Sequence, residues 1–214
     1  MKPLLALLCF IVVLSGCAVS IKVIDKREPT TPYKKVLVMY LDEGCDFTLF
    51  DSISYSICVK NSFAREGSQA LRNKVESLVA EDLTTSGTAV LKSSDLPDSS
   101  FDNYAAFQQL LADYGIDGVL LIDFRDYKHI ARPIPSPTTP RGMNTPAFNA
   151  PSKTYVKLKA GFACYLLPSK SLYFPVWYAH QEVEGRRSAE EKGLKSNMAE
   201  KIATSLKKGG YIAH

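Results

Sequence analysis

Two short runs in this 214-residue chain are apolar in both phases of a strand: Val36-Leu37-Val38-Met39-Tyr40-Leu41 and Val119-Leu120-Leu121-Ile122. A strand points successive side chains to opposite faces, so such runs need a covering layer on each side of their sheet. The expectation is a single α/β domain, a mixed β-sheet flanked by about three helices, with Val36–Tyr40 and Val119–Phe124 at its centre. Three stretches of helical period supply the layers. Over 66–84 the stripe is Leu71, Val75, Leu78, Val79 and Leu83, with Gly87 as the stop. Over 103–114 it is Tyr104, Phe107, Leu111 and Tyr114, with Asp102 as N-cap and Gly115 past the end. Over 189–208, Leu194, Met198, Ile202 and Leu206 recur every fourth residue behind a capping box, Ser188-x-x-Glu191.

Other segments read as strands or loops. Residues 47–60 place Phe47, Leu49, Ile53, Tyr55, Ile57 and Val59 in one phase of a two-residue period, which predicts a strand or hairpin. Thr88–Leu91 is a short strand, and 154–167 with 172–184 form a pair turning at Pro168-Ser169-Lys170-Ser171. Pro175 moves the second of these toward an edge. Between Ala131 and Lys153 lie six of the chain's 12 prolines, which excludes helix and interior strand and predicts a long exposed loop. Two readings stand for it: a tolerated insertion, because long loops carry little closure entropy, or a stiff partner-docking arm.

The N-terminus has its own logic. Lys2 precedes the apolar run Leu4–Val13, which is too short to span a bilayer and has the n-region and h-region of a secretory signal. The run closes on Leu14-Ser15-Gly16-Cys17. This motif resembles the lipobox of bacterial lipoproteins. The resemblance implies cleavage between Gly16 and Cys17, lipid on the Cys17 thiol through a pathway that typically adds three acyl chains, and no other cofactor. Ala18 after the cysteine implies the outer membrane, facing the periplasm. The organisation is then a signal peptide at 1–16, a lipidated tether at 17–34 containing Pro29-Thr30-Thr31-Pro32, and one domain at 35–214. The 198 residues left after cleavage suit one domain, and their net charge, +3 without Lys2, is too weak to argue for nucleic acid. A second, shorter likeness lies in Leu110-Leu111-Ala112-Asp113-Tyr114-Gly115-Ile116-Asp117-Gly118-Val119-Leu120. It resembles the helix-to-strand step of a periplasmic group that includes penicillin-binding-protein activator lipoproteins, the curli secretion lipoprotein and the N-terminal domain of the Tol-system propeller protein.

Cysteine use fits an oxidising compartment. With Cys9 and Cys17 set aside, Cys45, Cys58 and Cys164 remain. Cys164 lies in the apolar phase of a strand and reads as a buried thiol, which leaves Cys45 and Cys58 as the candidate disulfide. One extended strand would hold them about 40 Å apart, so the pair closes only if the chain reverses near Asp51-Ser52; otherwise both stay reduced.

Catalytic patterns are sparse. His129, His180 and His214 have no metal-ligand spacing, and no Walker loop or G-x-S-x-G elbow is present. His180 and Glu182 share a strand phase but lack a third partner. Asp123 and Asp126 flank Phe124-Arg125 and read first as ion-pair partners of Arg125 or Lys128. Trp177 and Tyr178 are either recognition residues or core, and Arg186-Arg187 is either an anion contact or a solvated hairpin end. The resulting expectation is a non-enzymatic, lipid-anchored accessory or assembly lipoprotein. It would bind an envelope protein or peptidoglycan, with a homo-oligomer as a further option. The alternative is a subunit of an outer-membrane pore or secretion assembly, resting on the alternation over 47–60 and on the likeness to the curli secretion lipoprotein. A hydrolase of envelope polymers ranks third.

Overall fold

Six strands form one mixed sheet in the order β1-β6-β5-β4-β2-β3. The computed structural model describes residues 19–27, 31–65, 69–133, 154–186 and 190–213. The strands are β1 (Val19–Lys26), β2 (Lys35–Leu41), β3 (Ala89–Lys92), β4 (Gly118–Pro133), β5 (Thr154–Pro168) and β6 (Trp177–Arg186). β2 runs parallel to both β3 and β4, while β4, β5, β6 and β1 are successively antiparallel. The four main helical segments are α1 (Ser52–Ala64, with a π-helical turn over Tyr55–Val59), α2 (Gln69–Thr85), α3 (Tyr104–Asp113) and α4 (Glu190–Lys208).

Both expected central runs lie inside the sheet, paired to each other from Val36↔Gly118 to Leu41↔Asp123. Their two phases feed two separate cores. Val36, Val38, Tyr40, Leu120 and Ile122 pack with Val75, Val79 and Leu83 of α2 and Met198, Ile202 and Leu206 of α4. Leu37, Met39, Leu41, Val119 and Leu121 pack on the other face with Tyr55 and Val59 of α1 and Phe107 and Leu111 of α3. Each such side chain contributes roughly 1.5–3 kcal/mol on full burial, so the sheet is held from both sides.

The segment expected as a strand or hairpin at 47–60 is instead a loop followed by α1. Its buried residues, Tyr55, Cys58, Val59 and Ser62, follow helical spacing, and Ile53 and Ile57 are 66% and 57% exposed. Asp51 starts the helix. Its carboxylate accepts the backbone N–H groups of Ile53 and Ser54, and the Ser54 hydroxyl accepts the Asp51 N–H in return. That reciprocal cap satisfies donors that an alternating strand would have spent on a ladder, and so overrides the β-branched composition.

The tether expected over 17–34 is also revised. Val19–Lys26 is an edge strand paired with β6, and Tyr33 bridges to Ile212. The stretch Val19-Ser20-Ile21-Lys22-Val23 alternates with strand period, and Ile21 packs on the α4 side of the sheet. With β1 outside it, β6 is not an edge strand. Pro175 lies before its first ladder pair, Lys26↔Trp177, where the missing N–H breaks nothing. The cap of α3 is Asn103, which accepts the Ala106 N–H, and not Asp102. Ser188 of the expected capping box and residues 134–153 of the Pro-rich loop lie outside the described residues; the flanking positions Ala131–Pro133 belong to β4.

Candidate functional site

The parallel pairing of β2 with β4 stops at Leu41↔Asp123, where β2 ends and β4 runs on, and the chain leaving β2 folds back over that point. Gly44 makes the turn, with φ +68°, a left-handed conformation that favours glycine. Its N–H donates to Asp123 at 3.2 Å, and its carbonyl accepts from Arg125 Nη1 at 2.7 Å. Arg125 Nε lies 3.3 Å from the Asp123 carboxylate, so the expected ion pair forms. Asp123 itself is fully buried. Burial pushes its carboxyl up to about 7, against the Arg125 charge and the backbone N–H groups of Gly44, Cys45 and Glu43.

A polar row continues from Arg125 across the sheet. Arg125 Nη2 donates to Tyr165 Oη at 2.5 Å, and the Tyr165 ring stacks on Tyr178 with centroids 4.5 Å apart. The Tyr178 hydroxyl is hydrogen-bonded to His180 Nε2. Glu182 does not partner His180; its carboxylate pairs with Lys159 Nζ at 2.7 Å. Helices α2 and α4 cover the opposite face of these strands, while Ser20, Lys22, His180 and Glu182 are exposed here. The row therefore forms an open, polar sheet face on β5, β6 and β1.

Cys45 and Cys58 are disulfide-bonded with Cα atoms 6.1 Å apart. The bond pins α1 to the loop that carries Gly44. The loop it closes spans 13 residues, for which loop-closure entropy predicts about 3 kcal/mol of stabilisation. Paired Cys45→Ser and Cys58→Ser replacement is expected to lower the unfolding free energy by roughly that amount in a urea titration. An unchanged midpoint would show that the loop is held by its other contacts alone. Cys164 is buried, and desolvation pushes its thiol well above the ordinary range.

The remaining expected site residues separate. Trp177 is 1% exposed and packs in the core with Met198 and Ile202, so it is not a surface contact. Tyr178, its neighbour in the other phase, is half-buried in the polar row. Arg186 pairs in register with Lys157 at the end of β6. Arg187, Gly16, Cys17 and His214 lie outside the described residues. Sequence reasoning missed Gly44, Tyr165 and a second buried pair, Arg72 and Glu76. The available signal was their place in the apolar stripe of α2, one turn apart and beside Val75 and Val79. Among the described residues, no group of three His, Cys, Asp or Glu side chains is arranged to hold a metal ion.

The Asp123 carboxyl links stability to pH. Its folded value, about 7, stands above the ordinary 3.8, so between these values the folded chain holds more proton than the unfolded chain. Its contribution is complete at acid pH and is lost as pH rises toward about 7. Asp123→Asn is expected to flatten the fall in unfolding free energy between about pH 4 and 7. An identical slope in the variant would assign that dependence to another group.

No protein-family model matches the chain, and no curated protein matches it. Solved structures with a similar fold include the PelC dodecamer from Paraburkholderia phytofirmans. It has a TM-score of 0.46 and 14% identity, over 92% of this chain and 99% of that one. Lipoprotein GNA1162 from Neisseria meningitidis gives 0.41 and 13%, over 81% and 98% of the two chains. A minor lipoprotein from Acinetobacter baumannii gives 0.35 and 8%, over 82% and 94%. All three scores are below 0.5, so the functional reading rests on the chain's own residues.

Proposed function

We propose that this chain is a lipid-anchored accessory lipoprotein of the cell envelope, held at the outer membrane through Cys17, that binds an envelope protein or cell-wall partner without catalysing a reaction on it. The observation that carries the anchor is the sequence Leu14-Ser15-Gly16-Cys17 behind a short apolar run. Two features support binding rather than chemistry. The most deeply buried carboxylate of the row, Asp123, is enclosed by Arg125 and backbone donors and reaches no surface. The exposed Lys22, His180 and Glu182, beside the half-buried Tyr178, combine both charges with an aromatic ring on an uncovered sheet face, which suits protein recognition. The alternative of a pore or secretion-assembly subunit loses one of its two grounds, since 47–60 is a loop followed by helix and not a pair of membrane strands.

A photo-crosslinking residue at His180 in the intact envelope tests this reading. The expected outcome is one dominant heterologous adduct, absent when the probe stands at Thr84 on the opposite helical layer. Adducts only with a second copy of the chain would favour a self-assembling role, and equal adducts at both positions would remove the open face as a recognition surface.

A further inference from the structure

The register of the sheet fixes what lies beside the start of β1. β1 begins at Val19, which is aligned with Val183 of β6, which is aligned with Ala160 of β5, which is aligned with Tyr127 of β4. The start of β1 therefore lies toward the end at which β4 and β5 continue, and Cys17 precedes Val19 by two residues. Two residues span at most about 7 Å. The β4–β5 ribbon extends six further pairs, from Tyr127↔Ala160 to Pro133↔Thr154, or about 20 Å at strand rise. The ribbon therefore projects past the level of the anchored residue. With β1 in the sheet there is no long tether to lift it away.

The composition of that end is one-sided. From Tyr127 to Gln181 the sequence contains no Asp or Glu. Beyond the Val19 row the described strands carry Lys128, Arg132, Lys157, Lys159 and Arg186 against Glu184 as the one acidic residue. Lys159 is already paired with Glu182. Lys128 and Lys159 face each other in register, as do Ile130 and Lys157, and Arg132 and Tyr155. Lys159 is also aligned with Glu184 of β6, so the excess positive charge of this end rests on Lys128, Arg132, Lys157 and Arg186.

We infer that the β4–β5 ribbon is a second membrane contact, lying against the anionic phospholipid surface beside the Cys17 lipid. Each Lys or Arg held near such a surface is attracted to it, and the attraction falls off within a Debye length and with added salt. The two attachments together fix the orientation of the domain: the ribbon end faces lipid, and the Pro168–Ser171 turn at the far end of β4 and β5 faces away. The inference rests on the anchor reading, since the ribbon is brought to the membrane by Cys17.

The test uses the full lipidated protein in vesicles carrying nitroxide-headgroup lipids, with a fluorophore on Ile130→Cys or, as reference, Ser169→Cys. Phosphatidylglycerol-containing vesicles are expected to quench the label at 130 strongly and the label at 169 weakly. Quenching at 130 should fall to the reference level in high salt and in the combined Lys128→Glu, Arg132→Glu, Lys157→Glu variant. The salt arm needs no mutation, so a folding defect in that variant leaves the inference exposed to refutation. Protein that floats with the vesicles but is quenched equally at 130 and 169, or equally with purely zwitterionic lipid, overturns the ribbon contact while leaving the anchor intact. Protein that does not float overturns the anchor reading and this inference with it.

Discussion

Glu76→Ala is expected to lower the unfolding free energy by about 3–5 kcal/mol, the range for removing one member of a buried charged network. The carboxylate is fully buried in α2 and accepts from three places at once. Tyr40 N–H donates at 2.8 Å from the end of β2, Ser93 Oγ donates at 2.5 Å, and Ser94 N–H donates at 2.8 Å from the turn after β3. One turn earlier, Arg72 donates to the Ser62 carbonyl at 2.7 Å and lies 3.8 Å from the Phe63 ring centroid. The Glu76 carboxylate is the largest influence holding the Arg72 charge against burial. Truncation leaves three donors unsatisfied and that charge less compensated, and each orphaned polar group carries about 1–3 kcal/mol. Urea unfolding of the purified chain reads the loss. Glu76→Gln keeps an acceptor and should lose less, while Asn73→Ala on the exposed side should stay within about 0.5 kcal/mol. A loss under about 1 kcal/mol for Glu76→Ala would mean the joint between α2, β2 and β3 is made by apolar packing alone.

Cys17→Ser is expected to abolish stable membrane retention of the processed chain, the largest functional effect predicted here. The thiol is the only group of Leu14-Ser15-Gly16-Cys17 able to form a thioether. A serine hydroxyl in its place leaves either an uncleaved precursor or a chain without acyl groups. The ribbon charges cannot replace the lipid, because attraction at about 1 kcal/mol per cation is weakened by salt. Cys9→Ser, inside the segment removed on cleavage, should change nothing. Fractionation of cells carrying each variant, with a carbonate wash and a high-salt wash, distinguishes the two sites. Retention through both washes of a Cys17 variant from which 1–16 have been removed would contradict the lipoprotein reading.

The legible parts of the fold were those where one physical signal acted alone. Val36–Leu41 and Val119–Ile122 are apolar in both phases, and a buried strand is the arrangement that satisfies them. The α2 and α4 stripes likewise kept their period over several turns. Residues 47–60 failed because two periods coexist there. Phe47, Leu49, Ile53, Tyr55, Ile57 and Val59 alternate, but the cap at Asp51 and the Cys45–Cys58 bond select a helix that exposes Ile53 and Ile57. The edge strand β1 was obscured by its neighbours, since Pro29 and Pro32 drew the whole N-terminal stretch toward a linker reading. At the site, Asp123 and Arg125 could be paired from adjacency along β4. Tyr165 could not, because its approach to Arg125 depends on the register of β4 against β5, which sequence period leaves open.

The most direct measurement is the mass of the N-terminal peptide of the protein purified from its own membrane. The expected result is a chain that begins at Cys17 and carries a diacylglyceryl thioether on that residue. A chain that begins elsewhere, or one that retains 1–16 with an unmodified Cys17 thiol, would contradict it.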